Sequence, residues 1–415
     1  MRLQTLFVVL ALVAGPGYSQ SAPSLLAARK GFKTTLTHAV RDSAPLETPP
    51  AEILSIVKFE APLGKMSACL SAAPGPGKHP AILWISGGFP QGGWEASAWE
   101  PQPPDNDQSA KVYRTSGVVM MYPTLRGAAG NRGSQESFFG EVNDVLAALE
   151  HLRKVEYVDP RRIYLGGHST GGTLALLVAA STDKIRGVFS FGPAARPSEY
   201  GEDVLAYDPS DEREDLLRSP IEFLDAIRSP TWVFEGAEDG NVEAFEAMKV
   251  RTRNPNVRFE AVRGASHFDV LAPVNRLLAQ KIARLEGDAE LALTGAEIQV
   301  AFDEMQRATR EATDLRVLAN VRAAGGAIDV PRTTRHYLIG RDRAALVAAA
   351  TDAAGAGFAQ SELREQKDVE SRSFFVLVVD KKLVLHDLDA VFGASKSIAE
   401  LSSKHGVEYD GWDVE

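Results

Sequence analysis

The segment that most narrows what this chain can fold into is Gly166-Gly167-His168-Ser169-Thr170-Gly171-Gly172, which follows the apolar run 163–165 and leads at once into a helix-favouring stretch. It contains Gly-x-Ser-x-Gly. A serine flanked by glycines two positions away on either side describes a sharp strand-to-helix turn. The glycines relieve clashes, and the hydroxyl projects above the sheet. The surrounding pattern supplies that sheet. Between Glu52 and Glu286, apolar or β-branched runs at 53–59, 81–86, 118–122, 163–165, 188–191, 232–234 and 257–262 alternate with helical stretches. One helix is expected over 138–155, with Val142, Val145, Leu146, Leu149 and Leu152 on one stripe. A second is expected over 270–285. Strands alternating with helices imply a mostly parallel sheet covered on both faces, an α/β architecture.

A serine nucleophile needs a base, and the base needs an orienting acid. The run 230–240 reads as a strand ending in a loop that carries Glu235, Glu238 and Asp239. The next strand, 257–262, ends in a loop that carries His267. Sites of this kind assemble beyond the C-terminal ends of parallel strands, and the order Ser169, Asp239, His267 is that of an α/β-hydrolase triad. Asp239 is favoured because it has a longer reach across its loop, with Glu235 and Glu238 as competitors. The oxyanion needs two N–H donors. The Thr170 amide at a helix N-terminus is one candidate, and Gly88 or Phe89, after the strand 81–86, is the other. Trp94 and Trp99 in the following loop serve either a substrate pocket or packing, and 195–227 reads as a small helical lid.

These residues also carry a resemblance. The stretches Tyr122-Pro123-Thr124-Leu125-Arg126-Gly127, Glu141-Val142-Asn143-Asp144-Val145 and Tyr164 through Gly172, with Ser229-Pro230-Thr231 and the Asp239 and His267 loops, resemble the catalytic domain of the prolyl oligopeptidase family and its dienelactone-hydrolase-like relatives. The resemblance implies an α/β-hydrolase domain over 51–286. It does not extend to the β-propeller that family peptidases carry, since only residues 20–50 separate the expected leader from this domain. Selectivity for short peptides by a propeller is therefore not expected.

Two further segments follow. Residues 287–328, rich in Ala, Glu and Arg, read as a connector of one or two helices with Ile298, Phe302 and Met305 at helical spacing. Residues 329–415 read as β-α-β-β-α-β, with strands at 337–339, 374–379, 383–385 and 407–412 and the first helix over 344–354. Tyr409-Asp410-Gly411-Trp412 and Ala356-Gly357-Phe358 make this part resemble the regulator of ribonuclease E activity B, which implies a small ferredoxin-like α+β domain and a protein partner. On residue chemistry alone, Asp410-Gly411 is equally a turn and Trp412 a core anchor.

Charge and composition limit the partners. With 45 basic and 55 acidic residues and no basic block, nucleic-acid binding by counterion release is not expected. The single Cys69 excludes an intrachain disulfide. No metal-binding motif appears, and no metal or cofactor is expected. Arg2, the apolar stretch from Leu6 to Gly15, Pro16, and small Gly17 and Ser19 read as a signal peptide over 1–19. The apolar stretch is short against the ~20 residues that span a bilayer. An extended arm is expected over 20–50. The expectation is a periplasmic or secreted serine hydrolase that cleaves an ester or a short peptide, without a stable membrane span. A non-catalytic scaffold whose C-terminal domain binds a protein is the competing reading.

Overall fold

The computed structural model describes residues 23–89, 93–94 and 96–415, so the expected leader lies outside the described residues. The chain runs through α1 (Leu25–Ala28), β1 (Leu54–Ala61), β2 (Gly64–Ser71), β3 (His79–Ile85), α2 (Val112–Thr115), β4 (Val119–Pro123), α3 (Glu141–Leu152), β5 (Val158–His168), α4 (Thr170–Ala179) and β6 (Gly187–Phe191). It continues through α5 (Glu212–Leu216), β7 (Thr231–Gly236), α6 (Val242–Arg251), β8 (Val257–Val262), α7 (Leu271–Arg284) and α8 (Gly295–Ala323). The last elements are β9 (Pro331–Gly340), α9 (Arg343–Gly355), β10 (Ala359–Lys367), β11 (Ser373–Val384), α10 (Leu388–His405) and β12 (Glu408–Val414).

The first eight strands form one sheet in the order β1-β2-β4-β3-β5-β6-β7-β8. β4, β3, β5 and β6 run parallel, whereas β1 and β2 form an antiparallel hairpin and β2 is antiparallel to β4. This is the α/β-hydrolase architecture. The parallel strands are buried along nearly their whole length, as expected for a sheet covered on both faces. Sequence reading missed β2, because Lys65-Met66-Ser67-Ala68-Cys69 contains no β-branched residue. Pairing with β1 from Leu54↔Ser71 to Ala61↔Gly64 forms the strand instead. Burial there pushes the Cys69 thiol up to about 12, so it is a packing residue rather than a nucleophile.

The chain separates into two compact units. One comprises the described residues through Ala96, Val119–Val233 and Glu243–Phe259; the other comprises Ser97–Val118, Phe234–Val242 and Glu260–Glu415. In the first, Leu83, Ile85, Met121, Leu165, Leu174 and Val188 belong to one core cluster. Arg126, from the Tyr122–Gly127 stretch, donates to both carboxylate oxygens of buried Asp144 at 2.9 Å and to Glu136 at 2.6 Å. That network fixes the loop after β4 on α3.

The N-terminal arm is not simply extended. It begins with α1, capped by Ser24, and the buried Arg29 guanidinium donates to the carbonyls of Phe138, Phe139 and Leu217. The segment 195–227 is a string of short helical turns including α5.

In the second unit, β9 to β12 form a fully antiparallel sheet in the order β10-β11-β9-β12. With α9 and α10 this is the expected β-α-β-β-α-β succession. Its central hairpin differs from the sequence reading. The runs 374–379 and 383–385 are one long strand, β11, and its partner is β10, whose exposed Gln360, Glu362, Arg364 and Glu365 show no apolar alternation. The connector is a single helix, α8, opened by a capping box between Thr294 and Glu297. Leu318 of α8 belongs to the core formed by Leu338, Leu377, Val379, Ile398 and Trp412. That core therefore reaches back past the boundary expected at 329.

Candidate active site

Ser169 stands between the last residue of β5 and the first of α4 with φ 53° and ψ −116°. A non-glycine residue at positive φ is strained, and such strain concentrates at functional positions. The surrounding glycines are sterically required. A Cβ at Gly171 would overlap the Ile85 carbonyl, one at Gly167 would overlap Gly171, and one at Gly172 would lie 2.6 Å from the Phe191 oxygen. The Ser169 amide donates to the Phe191 carbonyl at 2.8 Å, and its carbonyl accepts from Thr173 at 3.0 Å. Helix α4 thus begins immediately after the serine, and the Thr170 amide lies at its N-terminus.

The loop after β3 packs against this turn. A Cβ at Gly87 would come within 3.1 Å of Ser169 Cβ, so a side chain there would crowd the serine turn. Gly88, at φ +92°, accepts a hydrogen bond from the Thr170 hydroxyl at 2.9 Å. Phe89 packs edge-on against Phe138 and Tyr200. The three residues expected to serve an oxyanion are thus neighbours of the serine turn. Tyr200 was not anticipated from the sequence. Its hydroxyl is 2.7 Å from Thr173 Oγ1, and Ala194 N–H donates to both oxygens, at 3.4 and 2.9 Å. Burial pushes the tyrosine hydroxyl well above its ordinary range, against hydrogen bonding from Thr173, Ala194 and Ser169. It therefore remains a neutral hydrogen-bond donor beside the serine.

In the second unit, the imidazole of His267 meets a carboxylate, and that carboxylate belongs to Glu235. His267 Nδ1 lies 3.2 and 3.4 Å from the two Glu235 oxygens. An ionised carboxylate only accepts, so Nδ1 carries the proton and Nε2 is the basic nitrogen. Glu235 is buried, and it also accepts from the amides of Gly236 and Asn241 at 3.0 Å. Asp239, the carboxylate expected from the sequence, takes the His267 backbone N–H instead, at 2.7 Å. Glu238 accepts from the Gly264 amide. The correction has a steric origin. Gly236 lies so close to the Ala265 and Ser266 carbonyls that a Cβ would overlap them, and a Cβ at Gly240 would lie 2.8 Å from the imidazole. The histidine loop therefore folds onto the end of β7, where the Glu235 side chain emerges, and no long reach is needed.

Trp94 is buried and donates its indole N–H to the Glu47 carbonyl at 2.9 Å, which gives it a packing role on the N-terminal arm. Trp99 is half-buried. Among the described residues no group of three or more His, Cys, Asp or Glu side chains is arranged to hold a metal ion.

Comparison with known families bears on this arrangement. The model of the prolyl oligopeptidase family matches residues 104–275, which contain the Ser169 turn, Glu235 and His267. The segment 104–275 is thus similar to that family, over less than half of the chain. A second model, described as regulator of ribonuclease activity B, matches residues 311–414. No curated protein matches the chain. Among solved structures, a Pyrococcus horikoshii acylaminoacyl peptidase is 15% identical, over 59% of this chain and 43% of that one, with a TM-score of 0.45. A puromycin-hydrolyzing peptidase of Mycobacterium tuberculosis is 18% identical, over 60% and 42%, with a TM-score of 0.46. A Pyrococcus furiosus esterase is 15% identical, over 60% and 97%, with a TM-score of 0.44. The chain thus spans less than half the length of the two peptidases.

Proposed function

We propose that the enzyme cleaves a carboxylic ester or amide through an acyl-enzyme on Ser169. His267 Nε2 takes the serine proton as Oγ attacks the carbonyl carbon, then returns it to the leaving alcohol or amine. Water repeats the sequence and releases the acid. Glu235 holds the imidazole in the required tautomer and stabilises its protonated form. The amides of Thr170 and of Gly88 or Phe89 receive the oxyanion, with the Tyr200 hydroxyl as a further donor.

The observation that carries this reading is the His267–Glu235 pair, together with the strained turn that places Ser169 at a helix N-terminus. Both lie within the residues that the prolyl oligopeptidase model matches, which supports reading them as nucleophile, base and acid. A fluorophosphonate probe should label the wild-type chain, and Ser169→Ala should abolish labelling. Absence of labelling on the folded wild-type protein would instead favour the non-catalytic scaffold.

The family match also supports a second reading, a peptidase acting on short peptides. Paired p-nitrophenyl ester and p-nitroanilide substrates of one acyl group separate the two, since a peptidase cleaves both and an esterase only the first. Export of the enzyme is part of the proposal. It rests on the N-terminal leader pattern, and fractionation of expressing cells tests it.

A further inference from the structure

Helix α8 makes contacts of two kinds along its length. Near its start, the Gln299 side-chain amide pairs with both backbone groups of Arg263: Arg263 N–H donates to Oε1, and Nε2 donates to the Arg263 carbonyl, each at 3.0 Å. One turn on, buried Phe302 lies against Gly264, whose absent Cβ would stand 3.6 Å from the ring. A further turn on, Gln306 Nε2 donates to Asp269 Oδ2 at 3.3 Å. Asp269 in turn accepts the Ser266 amide on Oδ1 at 2.6 Å, and its own amide donates to Ser266 Oγ at 3.3 Å. His267 lies between these points. Residues 263–264 before it and 269 after it are both held by α8.

Eight residues beyond Gln306, about 12 Å along the axis at the helical rise, the same helix enters the C-terminal domain. Asp314 is buried and accepts the indole N–H of Trp412 at 2.7 Å and the hydroxyl of Ser395 at 2.5 Å. Trp412 belongs to the Tyr409–Trp412 stretch and stacks on His336. The helix runs without a break between the two sets of contacts.

We propose that α8 couples the C-terminal domain to catalysis: Gln299, Phe302 and Gln306 hold the His267 loop in place, and Asp314, bound by Trp412 and Ser395, fixes the helix that carries them. The proposal rests on the reading of His267 as the general base. Gln306 is a positioning residue that acts on His267 through Asp269. A displacement of about 1 Å at such a base costs up to about a hundredfold in rate, so loosening the far end of α8 is felt at the imidazole. The C-terminal domain is then a lever on turnover, and a protein bound to it changes kcat without touching substrate.

The test uses the full chain. Gln306→Ala should lower kcat by about tenfold and leave KM unchanged, and Gln306→Lys, which restores a donor to Asp269, should recover most of the loss. Trp412→Phe keeps an aromatic ring in place but strips the N–H from Asp314, and it should lower kcat in the same direction by a smaller factor. In both damaged variants, amide hydrogen exchange across 263–269 should accelerate while α4 stays protected. Wild-type kcat in folded Gln306→Ala and Trp412→Phe, or a loss confined to KM, would overturn the coupling. So would failure of the lysine rescue. If the wild type neither turns over nor takes the fluorophosphonate probe, the acyl-transfer reading fails. The exchange comparison still decides whether α8 clamps the loop.

Discussion

Glu235 at the end of β7 and Asp239, four residues on in the loop that follows, engage different parts of the same histidine: Glu235 faces the Nδ1 of His267, and Asp239 holds its backbone N–H. The separation of tasks makes the two carboxylates distinguishable by experiment. Glu235→Gln leaves the serine and oxyanion donors in place but frees the imidazole tautomer, which in serine proteases costs on the order of 10⁴ in kcat. Asp239→Asn keeps an oxygen acceptor for the His267 amide and should cost no more than about tenfold. Measured kcat in the reverse order, with both proteins folded, would return the acid's role to Asp239.

Tyr200 offers a test of the nucleophile's surroundings. Tyr200→Phe retains the ring that packs on Phe89 and Phe138 and removes only the hydroxyl beside Ser169 and Thr173. By analogy with loss of one oxyanion donor, kcat should drop about a hundredfold with KM little changed. An unchanged kcat would show that the hydroxyl serves only Thr173 and Ala194.

The serine turn should tolerate no added methyl group. Gly171→Ala places a Cβ on the Ile85 carbonyl, a backbone atom that cannot swing aside. The expected cost is about 3 kcal/mol or more, read from denaturant unfolding. Gly355→Ala, whose Cβ meets nothing within 4 Å, is the control and should fold normally.

Two buried groups give stability opposite pH dependences. Burial pushes the Glu141 carboxyl up to about 7, and its Oε2 lacks a hydrogen-bond partner. The folded state therefore holds a proton that the unfolded chain releases near its ordinary value, so stability falls as pH rises from about 4.5 to 7. Glu141→Gln should flatten that slope. His336 behaves in the opposite sense. Burial, reinforced by the charge of Lys381, lowers its pKa to about 4, and its ring is stacked between Tyr409 and Trp412. The unfolded chain binds the proton first, so the C-terminal domain loses stability as pH falls from about 6.5 to 4. Proton titration of the His336 ring signals should show a neutral imidazole at pH 6. A ring that charges near pH 6.5 would contradict this.

Much of the site was legible because it is local. The glycines around Ser169 and the helix that starts at Thr170 are encoded within a few residues of one another, and the histidine follows directly on its own strand, β8, so steric exclusion and strand-helix periodicity act locally in each case. The same holds for the start of α8, where Ile298, Phe302 and Met305 recur at helical spacing, although its running as one unbroken helix was not legible there. Tertiary structure decided what depends on residues distant in sequence. Strand β2 exists because β1 and β4 pair with it, and β10 exists because β11 offers it a ladder, although neither strand shows a period of its own. Glu235, not Asp239, meets the imidazole because close approach of Gly236 to the Ala265–Ser266 backbone brings His267 to the end of β7. Tyr200 reaches the serine turn from a segment without sequence signature. Asp314 is buried with donors to its carboxylate from Ser395 and from Trp412, 81 and 98 positions later. Sequence periodicity registers which face of an element is apolar. Which polar atoms meet across the fold is settled by packing, and in this protein the choice of acid and the anchoring of α8 both depend on such meetings.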